Sequence, residues 1–143
     1  MTSADRFNLE RFVTAQAPVF ETVLAELRAG RKRTHWMWFV FPQLSGLGRS
    51  STARFYGISS IDEARAYLAH PVLGPRLELC TRIVLASNNS SLHAIFGSPD
   101  DLKFRSCMTL FSRAADDADN PFRQALDRWC GAQRDPQTLV LLS

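Results

Sequence analysis

The run Thr34-His35-Trp36-Met37-Trp38-Phe39-Val40-Phe41-Pro42-Gln43-Leu44 carries two of the three tryptophans of this 143-residue chain. Large aromatic side chains bury a great deal of surface, and an indole N–H taken out of water needs a hydrogen-bond partner. Apolar residues packed this densely between a histidine and a Pro-Gln pair read two ways: the centre of a core, or the wall of a pocket. Pro42 ends the run. We read Trp36 to Phe41 as a short helical or irregular segment, although the aromatics and Val40 also suit a buried strand. It is far too short to span a bilayer.

Outward from this run the punctuation is helical. Asn8 is placed to cap a segment with Leu9, Phe12, Val13 and Gln16 on one face. Phe20, Val23, Leu24 and Leu27 repeat at helical period from Pro18 to Ala29, and Gly30 supplies the stop. Ser60-Ile61-Asp62-Glu63 has the form of a capping box, opening a helix that ends near His70 because Pro71 follows. Leu77, Cys80, Ile83 and Val84 mark another helix from about Pro75 to Ser87. Ser91 caps a short turn through Phe96, closed by Gly97. Ser98-Pro99-Asp100-Asp101 combines a capping serine, a proline and two carboxylates at a positive helix end. Asn120-Pro121 repeats that logic, with Phe122, Ala125, Leu126 and Trp129 inward and Gly131 as stop. The tail ends in Leu139-Val140-Leu141-Leu142, a plug or strand that periodicity does not decide. With no period-2 strand of useful length, no repeat and no linker, the expectation is all-α, one domain over residues 1–143, with about six or seven helices.

Hydrophobic residues at 45% and charged residues at 22% fit an ordinary globular protein rather than a disordered one. The net charge of +3 comes mostly from arginine; Lys32 and Lys103 are the only lysines. The one dense basic run, Arg28 to Arg33, reads as a solvated helix end and loop. Nucleic-acid binding calls for a longer basic stripe interleaved with exposed aromatics and is not favoured. Cys80, Cys107 and Cys130 form no C-x-x-C, so neither a disulfide framework nor structural zinc is indicated. The three histidines lack H-E-x-x-H pairing, and no metal or cofactor is called for. Met1 to Arg6 leads into no long apolar run, so a signal peptide is not expected and the cytoplasm is the expected compartment.

The glycine-rich, polar and basic loop Gln43-Leu44-Ser45-Gly46-Leu47-Gly48-Arg49-Ser50-Ser51 is the strongest candidate for chemistry. A helical stretch from about Thr52 to Tyr56 follows it. Glycines let backbone N–H groups converge, a helix N-terminus adds donors, and Arg49 and Ser50 add charge and a hydroxyl. The loop has a plain alternative reading as a flexible connection capped by Ser50 or Ser51. His35 titrates near neutrality and is a candidate acid or base, with a satisfied core or loop histidine as the alternative. His70 at a helix end reads first as a cap, His93 as surface, and Asp101 as a partner of the helix dipole.

The string from His35 to Gln43, with Gly46-Leu47-Gly48 and Ser50, resembles the bacterial domain-of-unknown-function-1810 family. The resemblance continues through Ala53, Tyr56, Glu63-Ala64, Tyr67-Leu68, His70-Pro71-Val72-Leu73-Gly74, Arg76-Leu77, Ile95-Phe96-Gly97, Asp100-Asp101, Lys103, Ser106 and Met108-Thr109-Leu110-Phe111. Phe7-Asn8-Leu9 and Arg11-Phe12 match its opening. Cys107 departs from it, where a second serine is expected. The resemblance implies small, all-helical cytosolic proteins and no established activity. Some members bear the label calpastatin; calpain inhibition by that route uses long disordered repeats, unlike this capped sequence. The family pattern keeps the polar residues His35, Gln43, Ser50, Tyr56, His70, Arg76, Asp101, Lys103 and Ser106, more than a core needs.

Two functional expectations follow. In the first, a pocket takes a small anionic ligand, a nucleotide-derived one among the candidates. Trp36, Trp38 or Tyr56 stack its planar part. Gln43, Gly48, Arg49, Ser50, His70, Arg76, Lys103 and Ser106 hold it, and His35 or Asp101 moves a proton if there is chemistry. In the second, the exposed aromatics anchor a protein partner without catalysis. Oligomeric state is open in both.

Overall fold

The computed structural model describes residues 5–142, and these contain ten α-helices and one 3-10 turn. Three helices follow their capping signals. Ser60, Ser91 and Asn120 each accept from the backbone N–H three residues on, at 3.1, 3.1 and 2.9 Å. These open α5 (Ile61–Ala69), α7 (Leu92–Phe96) and α9 (Pro121–Trp129). The first two helices are α1 (Glu10–Gln16) and α2 (Phe20–Arg28). α6 is Leu73–Leu85 and α8 is Asp100–Ala114.

The all-α reading stands, but six or seven helices was too few. The surplus lies in segments too short to display a 3.6-residue period. These are α3 (Met37–Val40), α4 (Ser51–Phe55) and α7, of four, five and five residues, and the apolar tail, which forms α10 (Pro136–Leu142).

Three local signals resolve differently. Asp5, not Asn8, caps α1: its carboxylate accepts from the N–H groups of Leu9 and Glu10, both at 2.8 Å. Ser98 does not cap α8; the Asp101 N–H donates to the carbonyl of Gly97 at 2.9 Å, and no side chain caps the helix start. Glu63 reaches back to Ser59, accepting from its N–H and hydroxyl at 2.8 and 2.7 Å, because its other oxygen is drawn to Arg11 at 2.9 Å.

α8 runs through the centre, packed by α5, α7, α9 and α10. Phe104, Cys107, Met108, Leu110 and Phe111 are buried along it. Phe41, just after α3, packs edge-on against Phe96 and Phe104 with centroids 5.8 and 5.1 Å apart. Arg11 ties the N-terminus to α4 and α5, donating to the carbonyls of Phe7, Asn8, Phe55 and Gly57 besides Glu63.

The turn from α2 into the aromatic run is held by Glu26. Its buried carboxylate accepts from the N–H of Arg33 (2.7 Å), the N–H and hydroxyl of Thr34 (3.1 and 2.6 Å) and the indole N–H of Trp36 (2.9 Å). Burial alone would raise its pKa; the hydrogen bonds from Thr34, Arg33 and Trp36 outweigh it and hold it at about 2. A carboxylate stabilised in this way adds stability in full above its unfolded pKa, near 4.5, and loses it as pH falls toward the folded value. Glu26→Gln is expected to cost about 3 kcal/mol at neutral pH. Urea unfolding checks this: the gap between the parent chain and the variant should be constant above pH 4.5 and narrow steadily below it.

Candidate functional site

Four of the residues singled out in the sequence meet at one place. Trp38, Gln43, Tyr56 and Lys103 line a recess with Met37, Phe41 and Ala53 behind them. α3 presents Trp38. Gln43 is fixed by an isolated parallel bridge between Leu44 and Ile58, in which the Gln43 carbonyl accepts from the Ile58 N–H at 2.9 Å. Tyr56 follows α4, its ring 5.4 Å from that of Phe39 and 5.8 Å from that of Phe12. Lys103 reaches over from the first turn of α8, its ammonium 5.1 Å from the Trp38 ring centroid.

The recess is a donor-rich indentation. Its free volume is about 10 Å³, room for a single water. Among the described residues, the Trp38 indole N–H, the Gln43 amide and the Tyr56 hydroxyl have no protein hydrogen-bond partner, and none of them is sealed from solvent. With Lys103, four residues that carry donor groups line this small hollow, and Gln43 and Tyr56 carry acceptors as well.

A second lysine stands beside the first. Asp100 Oδ1 lies 3.5 Å from Lys103 Nζ, and its Oδ2 lies 3.0 Å from Lys32 Nζ. Lys32 in turn sits 5.2 Å from the Trp36 ring centroid and donates to the Thr34 carbonyl at 2.6 Å. The chain's only two lysines thus share one carboxylate, each over one tryptophan, and the cluster keeps a net positive charge.

The other expected site residues lie apart from the recess. Trp36 is sealed in the core at 1% exposure, its N–H spent on Glu26. His35 and Arg49 are exposed. Ser50 caps α4, accepting from the Ala53 N–H at 3.1 Å. His70 Nδ1 accepts from the N–H groups of Val72 and Leu73 at 3.1 and 3.3 Å, closing the start of α6. Arg76 donates to Gln16 at 3.3 Å and lies over the Phe20 ring. The Ser106 hydroxyl donates to the Leu102 carbonyl one turn back. Asp101 Oδ2 stands 3.4 Å from His93 Nδ1, far down the chain from His35. Gly48 does enter the site indirectly: a Cβ there would stand 2.4 Å from the Cβ of Ala53, which lines the recess.

The family profile described as "Protein of unknown function (DUF1810)" matches residues 6–142. The chain belongs to the DUF1810 family. It is also similar to the conserved hypothetical protein Rv1873 from Mycobacterium tuberculosis, known from a crystal structure, at 57% identity. The match covers 96% of this chain and 98% of that one, with a TM-score of 0.94. Among curated proteins none matches the chain significantly. Among the described residues of this DUF1810 chain, no helix is long and apolar enough to cross a membrane.

Sequence reading passed over Glu26, Lys32 and Asp100. Glu26 looks like any solvated helical carboxylate, and its partners lie beyond a glycine stop. Lys32 and Lys103 are far apart in the chain; the sequence reading counts Lys103 among the ligand-holding residues and assigns Lys32 no such role. The Gly48–Ala53 contact yields a direct check. Gly48→Ala is expected to cost about 1–3 kcal/mol through overpacking, and the same change in an Ala53→Gly background should cost measurably less. Thermal unfolding of the four proteins of this double-mutant cycle reads the coupling.

Proposed function

We propose that this protein binds a small oxyanion-bearing ligand at the recess between Trp38, Gln43, Tyr56 and Lys103. The observation that carries the reading is that four donor-bearing side chains line one hollow: among the described residues the indole N–H, the carboxamide and the phenol have no protein partner, and the Lys103 ammonium shares Asp100 with Lys32. An excess of donors over acceptors suits an anion, and the charge on Lys103 strengthens a hydrogen bond made from it. The hollow holds only one or two ligand atoms, so the anionic head enters and the remainder lies over Trp38 and Tyr56 at the surface. Binding needs no proton transfer, and the exposed His35 and the His93-paired Asp101 supply none inside the recess. The three free thiols support the cytoplasm as the compartment we propose.

A protein partner is the second reading, favoured by Phe55. It is 54% exposed and packs edge-on against Tyr56 with centroids 4.9 Å apart, extending the aromatic rim outward.

Titration with small mono- and dicarboxylates, sulfate and phosphate, followed by tryptophan fluorescence, tests the proposal. At least one is expected to perturb Trp38 emission saturably, with Lys103→Met weakening it by about tenfold or more and Tyr56→Phe weakening it less. No saturable response to any of them would remove the reading, and a dimer or complex abolished by Phe55→Ala would install the second one.

A further inference from the structure

The recess leaves the basic run Arg28 to Arg33 unused, and the structure gives that run a defined shape. Gly30, with φ +75°, turns the chain at the end of α2. Two grooves flank this turn, of about 490 and 510 Å³, and share Ala29, Gly30 and Asn89 as a common wall. Arg28 lines one groove; Arg31, Lys32 and His93 line the other.

Solvation of a basic loop asks for no order in its backbone, yet every donor here is tied down. The N–H groups of Gly30, Arg31 and Lys32 donate to the carbonyls of Leu27, Glu26 and Ile95 at 3.0, 3.0 and 2.7 Å. Those of Arg33 and Thr34 go to the Glu26 carboxylate. The Asn89 amide donates to the Gly30 carbonyl at 2.7 Å and pins the shared wall. The guanidinium charges, by contrast, are left free. Asp100 and Asp101 are engaged by the two lysines and by His93, and among the described residues the Arg28 and Arg31 guanidiniums have no partner. The fixed backbone sets the roots from which the Arg28 and Arg31 side chains reach the two grooves, so only side-chain rotamers remain to be ordered when an anion arrives.

We propose that the two grooves around Gly30 bind a small molecule bearing a diphosphate, one phosphate toward Arg28 and the other toward Arg31 and His93. Two arms, each with its own guanidinium fork, match two linked phosphates better than one. Single-stranded nucleic acid fits less well, because it relies on exposed aromatic faces for its bases. The one aromatic lining these grooves, Phe96, is buried in the core.

The test uses the full chain, titrated with inorganic pyrophosphate and separately with orthophosphate, by calorimetry and by amide chemical shifts. Pyrophosphate is expected to move amides in residues 28–33 and 87–97 and to bind about tenfold or more tighter than orthophosphate. Arg28→Ala and Arg31→Ala should each weaken pyrophosphate about tenfold. Arg123→Ala, which removes an exposed charge elsewhere, should leave it unchanged. All three positions are exposed, and unchanged melting curves confirm folding. Equal affinity for the two anions, no effect of either arginine, or shifts confined to residues 38–56 would overturn the proposal. So would tighter binding of a single-stranded oligoribonucleotide at the same amides. Shifts at the Trp38 recess read the other site separately, so failure of one proposal leaves the other standing.

Discussion

The carboxylate of Glu26 is the constraint on which the functional face depends. It takes hydrogen bonds from two consecutive backbone N–H groups, a hydroxyl and an indole, and so ends α2 and starts the aromatic run with one group. A buried carboxylate satisfied by four donors stays ionised, because each hydrogen bond to the charged form favours it over burial. The indole of Trp36 is thereby fixed in the core. α3 begins in a set direction and brings Trp38 out beside Lys103 rather than inward.

The same anchor controls the basic loop. Five successive backbone donors, from Gly30 to Thr34, are consumed by Leu27, Glu26 and Ile95. Lys32 is left with its stem buried and its ammonium between Asp100 and Thr34. That ammonium joins the loop to the first turn of α8, where Lys103 uses the same carboxylate. The recess and the grooves around Gly30 are therefore neighbours along one electrostatic chain. Two lysines on one aspartate leave a positive excess that a negatively charged ligand is suited to neutralise.

Other polar groups inside the protein bind the helices together. Gln16, nearly fully buried, donates to the Phe39 carbonyl and the Tyr67 hydroxyl and accepts from Arg76. It thus couples α1, α3, α5 and α6. Arg11 and Glu63 form a second such tie, closed by backbone carbonyls and by Ser59. Removing one member of such a tie leaves an unpaired group in low dielectric, which costs more than the tie itself contributes. Arg76 and His70 are likewise occupied by structural duties, Arg76 on Gln16 and His70 at the start of α6.

Local chemistry was readable from the chain. Ser60, Ser91 and Asn120 announce their helices because a cap is a contact three residues long, and the all-α class follows from periods that repeat over two or three turns. The count of six or seven fell short because α3, α4 and α7 are only four or five residues long and read as a short segment, a stretch and a turn, while the tail that forms α10 reads from sequence as a plug or strand. The meeting of Trp38, Gln43, Tyr56 and Lys103 could be named as a set but not built, since it needs α3, the Leu44–Ile58 bridge and α8 to pack at once. Glu26 was invisible for the same reason. A carboxylate on a helix looks solvated until the turn beyond Gly30 folds four donors onto it, and long-range packing alone supplies that turn.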